Sequence, residues 1–334
     1  MNINNIKKRY LPILLFPVLI AFLYPDLMSK AEFAFSKPGL GTIGLSIGTL
    51  FMIYALLALS QDVVLGRAGV YDMGHMVYFG MGAYVFAICI TKYNMGFFLA
   101  CTLACFIPAG LAFLLSVIAL HLKGDYFLLV SIGYNIIFSQ ILKNNPFGLT
   151  NGPNGIFGIY PDPFLGFDLT SPRLIYYYGL IVLLIVIWLL HNFDNSRYGR
   201  AVFYMHQDEL AALSMGVNPY FLKLVSFMFS GILAGFAGVL FALEYSSVNV
   251  EMCTINQSIL LFAIVIVGGQ GSLIGVLLGT FVMFILPEII RDFAQVRFLV
   301  FGLLMVVLMI VRPHGLVPIK FGFYPKKFFT GGQS

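Results

Sequence analysis

The chain has 334 residues, 60% of them apolar and only 10% charged, with a mean hydropathy of +0.94. Soluble domains carry about 45–50% apolar and about 25% charged residues, so a soluble globular fold is excluded and an all-α polytopic membrane protein is expected. The net charge of +5 points to no nucleic-acid partner, because the lysines and arginines are scattered between apolar blocks, as topology signals are.

Ten apolar blocks follow one another: 11–24, 40–60, 71–91, 97–120, 126–142, 174–190, 220–243, 258–267, 273–290 and 298–311. A crossing helix needs about 20 mostly apolar residues, so the expectation is about ten transmembrane helices. Lys7, Lys8 and Arg9 precede the first block as in a secretory signal. Its end, Phe22, Leu23 and Tyr24, is too bulky for a small-x-small cleavage site, which makes it an uncleaved first span with the N-terminus in the cytoplasm.

Between the second and third blocks, "GRAGVYDMGHM" (66–76) carries Arg67, Asp72 and His75. Asp72 and His75 are three apart and would share a helix face. Ionisable groups within a membrane are costly and by default functional, and a glycine-broken helix there would aim a half-helix N-terminus into a substrate path. The plainer reading, slightly preferred, is a cytoplasmic loop with surface charges and a snorkelling Arg67. Cys101 and Cys105, one turn apart, read as packed thiols; they and Cys89 and Cys253 lack paired metal-ligand spacing.

Two long polar gaps remain, an outer one at 143–173 with "LTNGPNG" and an inner one at 191–219 with "HQDELAALSMGVNP". In the inner gap Gln207, Asp208 and Glu209 suit a helix first turn. Leu210, Ala211, Leu213 and Met215 follow at helical spacing, Gly216 is a natural stop and Pro219 forbids continuation. So short a helix is marginal alone in water, so its apolar side must dock, either on its own membrane domain or on something outside the chain.

Further on, Gly231-x-x-x-Gly235 and Gly271-x-x-x-Gly275-x-x-x-Gly279 should put small residues on helix faces that pack closely. Glu244 and Glu251, at the outer end of the seventh block, read as solvated. The eighth block has ten residues, or about 15 Å of helix against a hydrocarbon core of about 30 Å. If it crosses, 12 of the 19 lysines and arginines lie inside, and if it does not, 10 do. The positive-inside bias therefore favours ten crossings with both termini inside (N-in/C-in). The crossing would then continue through "GGQGS" (268–272). Irregular backbone at membrane depth must be buried or line a cavity, so Gly268, Gly269 and Gln270 either line a pathway or form a tight cytoplasmic turn. No composition shift marks a second domain, so 1–334 reads as one transmembrane domain.

No Gly-Lys dipeptide occurs, so no phosphate-cradling G-x-x-x-x-G-K-[ST] loop is present and any ATP would be bound by another polypeptide. The five histidines lie in separate gaps or at span ends without a nucleophile–base arrangement. An enzyme is not expected.

The stretch "SRYGRAVFYMHQDELAALSMGVN" (196–218) resembles the cytoplasmic coupling loop of ABC importer permeases, most closely the M-type permeases for branched-chain amino acids. Ala211, Ala212 and Gly216 match the acid-Ala-Ala-x-x-x-Gly pattern, with Glu209 one place earlier than the usual acid. "LGRAGVYDMGH", "LKGDYF", "LTNGPNG", "VGGQGSLIGVLLG", "LPEIIR" and "RPHGL" follow the same family pattern in order. Asp72 stands where the family usually has serine, and Phe203 and Met205 replace common basic residues. The resemblance implies a bacterial inner-membrane permease, embedded in membrane lipid, that pairs with a second homologous permease. Two ATPase subunits, which bind the ATP and Mg, would sit beneath, and a periplasmic solute-binding protein above. Asp208, Glu209, Leu210, Ala211, Ala212 and Gly216 would couple to the ATPases; Arg67, Asp72, His75, Gly268, Gly269 and Gln270 would border the substrate pathway. A urea or short-chain amide permease shares much of this pattern, and an ion-coupled secondary transporter or a passive channel would need no ATPase.

Overall fold

The structure, a computed structural model, describes residues 23–26, 40–119, 125–162, 171–285 and 315–317, with single helical positions at 302, 306 and 310. The first and tenth apolar blocks fall largely outside these, as do "LPEIIR", most of "RPHGL", the first half of "LKGDYF" and part of the outer gap.

Helix α1 (Leu40–Asp62) runs without a break into a π-helical turn (Val63–Arg67). An irregular segment, 68–75, leads to α2 (Met76–Thr91), then α3 (Phe97–Ala119) and α4 (Asp125–Lys143). Next come α5 (Pro172–Asn195), two short helices α6 (Arg197–Gln207) and α7 (Glu209–Ser214), and the longest helix among the described residues, α8 (Pro219–Tyr245). Helices α9 (Ile255–Gly268) and α10 (Leu273–Thr280) follow, α10 passing into a second π-helical turn (Phe281–Ile285).

The starts of these helices follow local chemistry. Ser171 accepts from Leu174 N and Pro172 sits in the first turn of α5, while Asn218 and Pro219 do the same for α8. A side-chain oxygen at the cap satisfies an otherwise orphaned amide, and proline there loses nothing, since its missing N–H had no partner.

Five helices among the described residues are long and apolar enough to cross a membrane: Ile43–Arg67, Phe97–Ile118, Tyr126–Lys143, Pro172–Asn195 and Pro219–Tyr245. The third, eighth and ninth blocks give shorter apolar helices, Met76–Thr91, Ile255–Gly268 and Leu273–Met283. The eighth gains residues from its polar approach and reaches 14, still only about 21 Å.

Helix α8 forms the axis of the bundle, packed by α1, α2 and α3. A Cβ on Gly235 would lie 2.4 Å from Ala104 O, so the expected close approach of small residues holds for α8 against α3. For the second glycine series it holds only in part, because Gly271 lies in the break before α10 and only Gly275 and Gly279 are helical. Helix α4 is peripheral and turns Tyr126, Leu129, Ile136, Ile137 and Ile141 outward, a surface suited to lipid or a neighbouring subunit.

All four cysteines are buried and free. The expected all-helical fold has one small exception, an antiparallel pair in which β1 (Ile156–Phe157) meets β2 (Ser247–Val248), Ile156 opposite Val248. Glu244 is half-buried against Ser46 and Thr49 rather than solvated, whereas Glu251 is exposed.

Candidate functional site

Segment 68–75 is where the structure departs most from the plainer sequence reading. Asp72 and His75 are fully buried and Arg67 is 7% exposed, so none is a surface charge. Asp72 and His75 also lie outside any regular helix, His75 occupying the cap position of α2. The segment doubles back along α1, bringing His75 beside Ser60, two turns before Arg67.

Around Asp72 the partners come from its own segment, from α1 and from α4. Its Oδ1 accepts from Gly74 N (2.8 Å) and from the hydroxyl of Tyr134, and its carbonyl accepts from Gln61 Nε2 (3.0 Å). Ser131 Oγ accepts from Met73 N at 2.9 Å. His75 Nε2 lies 2.8 Å from Ser60 Oγ and 3.4 Å from Ser230 Oγ. The Ser60 hydroxyl gives its hydrogen to Leu57 O (2.7 Å), so Nε2 is the donor in the Ser60 pair. The other ring nitrogen, Nδ1, faces Asp72 Oδ2 at 3.6 Å. Neither atom has a hydrogen-bond partner, nor does Gln61 Oε1. Three unsatisfied polar atoms in one buried cluster are unusual, since most such groups are paired.

The depth of this cluster follows from its neighbours. Ser230 is 11 residues along α8, or about 16 Å from its start, and Tyr134 is mid-way through the 19-residue α4. With a hydrocarbon core of about 30 Å, the Asp72–His75 pair lies near half-depth.

Arg67 belongs to a separate cluster at the end of the helices. Its Nε and Nη2 form a two-pronged bond to Asp194, at 2.7 and 3.0 Å, one residue before the end of α5. Its Nη1 pairs with buried Asp62. Asp62 and Arg67 are five residues apart, and the π-helical turn, in which Ala68 N bonds Val63 O, brings such residues to one side. The second oxygen of the fork, Asp62 Oδ1, accepts from Gly271 N at 2.6 Å. A side chain on Gly66 would sit 2.1 Å from that oxygen and 2.2 Å from Gly271 N, so only glycine fits.

The second break, 268–272, is thus tied to the first. Gly268, Gly269 and Gly271 are buried and Gln270 is half-buried. Gly269 (φ 113°) and Gly271 (φ 76°) take backbone conformations that L side chains rarely adopt. Ser272 caps α10 by accepting from Gly275 N, and Leu316 N and Val317 N bond Val267 O and Gly268 O from a later segment. This corner is largely buried within the protein.

The inner gap folds as two helices, where one was expected from Gln207 onward. Gln207 ends α6, and Asp208 is the cap of α7, its Oδ1 accepting from Leu210 N and Ala211 N at 3.0 Å. Glu209 alone supplies acid to the first turn, and pairs with Lys223 at 2.9 Å on the surface. Gly216 (φ 80°) ends the helix as expected, with Gly216 N bonding Leu213 O and Val217 N bonding Ala212 O. Ala212 is buried against the rest of the chain, while Leu210, Leu213 and Met215 are 76%, 52% and 67% exposed. Ala211 and Asp208 are also exposed.

His206, near the end of α6, presses its ring on the site of Gly69 (φ 70°), where a Cβ would come within 2.5 Å. The ring lies against the backbone of Gly66 and Arg67. Partial burial of the ring pulls its pKa below the usual 6.5, and the nearby backbone of Gly66 and Arg67 opposes this.

Sequence reasoning missed Asp62, Asp194 and Tyr134. Asp62 carried a usable signal, an acid five residues before Arg67 inside an apolar stretch; Asp194 and Tyr134 carried none without the fold.

Three comparisons bear on this arrangement. A model of the branched-chain amino acid transport system permease component matches residues 44–312. The high-affinity branched-chain amino acid transport system permease protein LivM of Escherichia coli K12 is 33% identical over 339 residues, 95% of this chain and 76% of that protein. Its Salmonella typhimurium LT2 namesake is 33% identical over 336 residues, 94% and 75%. The autoinducer 2 import system permease LsrC of Yersinia pseudotuberculosis is 30% identical over 112 residues, 31% of this chain and 30% of that protein. No solved structure matches the chain. With its helical breaks and capped α7 inside a match that spans residues 44–312, the chain belongs to the family of branched-chain amino acid transport system permease components.

Proposed function

We propose that the chain is the transmembrane permease subunit of an ATP-driven importer for branched-chain or related amino acids in the bacterial inner membrane. It crosses the membrane ten times with both termini inside, pairs with a second homologous permease, and works with two ATPase subunits and a periplasmic solute-binding protein. The ATP and Mg belong to the ATPases. The family and the LivM relatives support the substrate class.

The observation that carries the coupling role is α7. It is a short helix capped at both ends, yet Leu210, Leu213 and Met215 lie open to solvent. Exposed apolar side chains on a marginal helix call for a partner outside the chain. ATP-driven closure of the ATPases pushes α7, through Asp208, Glu209, Leu210, Ala211, Ala212 and Gly216, and the two permeases rock between outward- and inward-open states. The pathway runs beside the two breaks, past Asp72, His75, Gly268, Gly269 and Gln270, with Arg67 at its cytoplasmic end.

Gly216→Pro and Ala212→Arg test this. Both abolish uptake and ATPase co-purification while membrane insertion stays normal. Wild-type uptake with either variant rules out α7 as the contact.

A further inference from the structure

We propose that Arg67 is a positioning residue through which the coupling segment drives both buried breaks. The idea rests on the reading of α7 as the ATPase contact and adds the route by which its motion reaches the pathway.

Helix α6 connects α7 to the bundle, and it is fixed to residues 62–69 at both ends. Before its start, Asp194 holds the Arg67 fork at 2.7 and 3.0 Å. Near its finish, His206 packs its ring on Gly69, two residues past Arg67. Asp208, the cap of α7, follows two residues later. A displacement of α7 is therefore delivered to the π-helical turn at two points, and α6 cannot pivot about either one alone.

From the turn the displacement has two exits. Arg67 holds Asp62, whose other oxygen holds Gly271 N, so the 268–272 corner is drawn along. Gly66 allows this contact, since any Cβ there would displace it. The second exit is segment 68–75, which begins at the turn and ends in the Asp72–His75 cluster at half-depth.

Arginine suits the task better than lysine. A guanidinium offers parallel N–H groups with fixed mutual geometry, so it resists shear between the elements it joins, whereas an ammonium is a single point that swivels. Breaking one side of the fork also leaves a charge at a position only 7% exposed, which is strongly unfavourable. The three elements therefore move as a unit.

The test is the number of amino acids moved per ATP hydrolysed. The complete importer is reconstituted in liposomes with its binding protein, and radiolabelled leucine uptake and phosphate release are measured on the same samples. Arg67→Lys and Asp194→Asn keep the ATPase subunits bound and hydrolysing, but move at least tenfold fewer leucines per ATP. Asp194→Glu, which restores the carboxylate, recovers most of the ratio. Asp194 is 23% exposed, so its variants remain testable where Arg67→Lys fails to fold.

An unchanged ratio in Asp194→Asn overturns the proposal, including when uptake and hydrolysis fall together, which is what lost structure alone produces. A wild-type chain that holds no ATPase subunits overturns the underlying reading as well, and shows itself before any variant is made.

Discussion

The two helix breaks, 68–75 and 268–272, solve one problem by opposite means. The first carries ionisable side chains and draws partners from three helices, Ser60 and Gln61, Ser131 and Tyr134, and Ser230, and from its own Gly74. The second is built almost wholly of backbone, with glycines in left-handed conformations, and borrows a carboxylate oxygen from Asp62 to hold Gly271. Backbone unwound inside a membrane must be satisfied internally. A break can do this with side chains of its own region, and is then a polar cluster that also keeps unsatisfied atoms, or with a loan from a neighbour, and is then mechanically tied to the lender.

This contrast is sharpest at Asp62, which serves both breaks. Asp62→Ala removes one partner of Arg67 and the acceptor of Gly271, and should cost about 3–5 kcal/mol, as for other broken buried pairs. Thermal unfolding in detergent measures the loss, and hydrogen exchange should rise in both 62–75 and 266–273. Exchange rising in the first region alone would separate the breaks.

Gly66→Ala attacks the contact without removing a charge. Its Cβ meets Asp62 Oδ1 and the Gly271 backbone, and the overpacking should cost about 1–3 kcal/mol, with faster exchange at 266–273. Tyr134→Phe should act on the first break only. It deletes one donor to Asp72 for about 1 kcal/mol and leaves 266–273 unchanged.

The smallest effect is a pH dependence. Because the folded-state pKa of His206 is lowered by burial, its contribution to the docking of α6 is complete above the ordinary value of about 6.5. It is lost as pH falls through the lower folded-state value, since the undocked ring binds the proton more readily. Protection of 197–207 relative to the intrinsic exchange rate should fall on going from pH 8 to pH 5.5, and His206→Gln should blunt the change.

What the sequence made legible followed from periodicity and punctuation. Gly216 and Pro219 marked the end of α7, and of the ten crossings that the apolar blocks suggested, five are found among the described residues as helices long and apolar enough to cross, because each signal is local. The extent of α7 was less legible, because Asp208 serves equally well inside a first turn or as a cap, and the extended backbone at 208 decides it. The burial of Asp72 and His75 was legible only as the less favoured of two readings. An Asp and a His beside glycines look like any loop until Tyr134 and Ser230, 62 and 155 residues away from their respective partners, are brought against them. The same holds for Arg67, which read as a snorkelling charge because Asp194 lies 127 residues on.

The most direct test of the account is whether accumulation requires a separate motor. The purified permease pair is reconstituted with the binding protein, ATP inside or outside the vesicles, and the ATPase subunits either present or omitted, and radiolabelled leucine is followed over time. The account requires uphill accumulation only when the ATPase subunits and ATP are together on the side that α7 faces. Accumulation against a gradient without those subunits, or an α7 that faces the side of the binding protein, would contradict it.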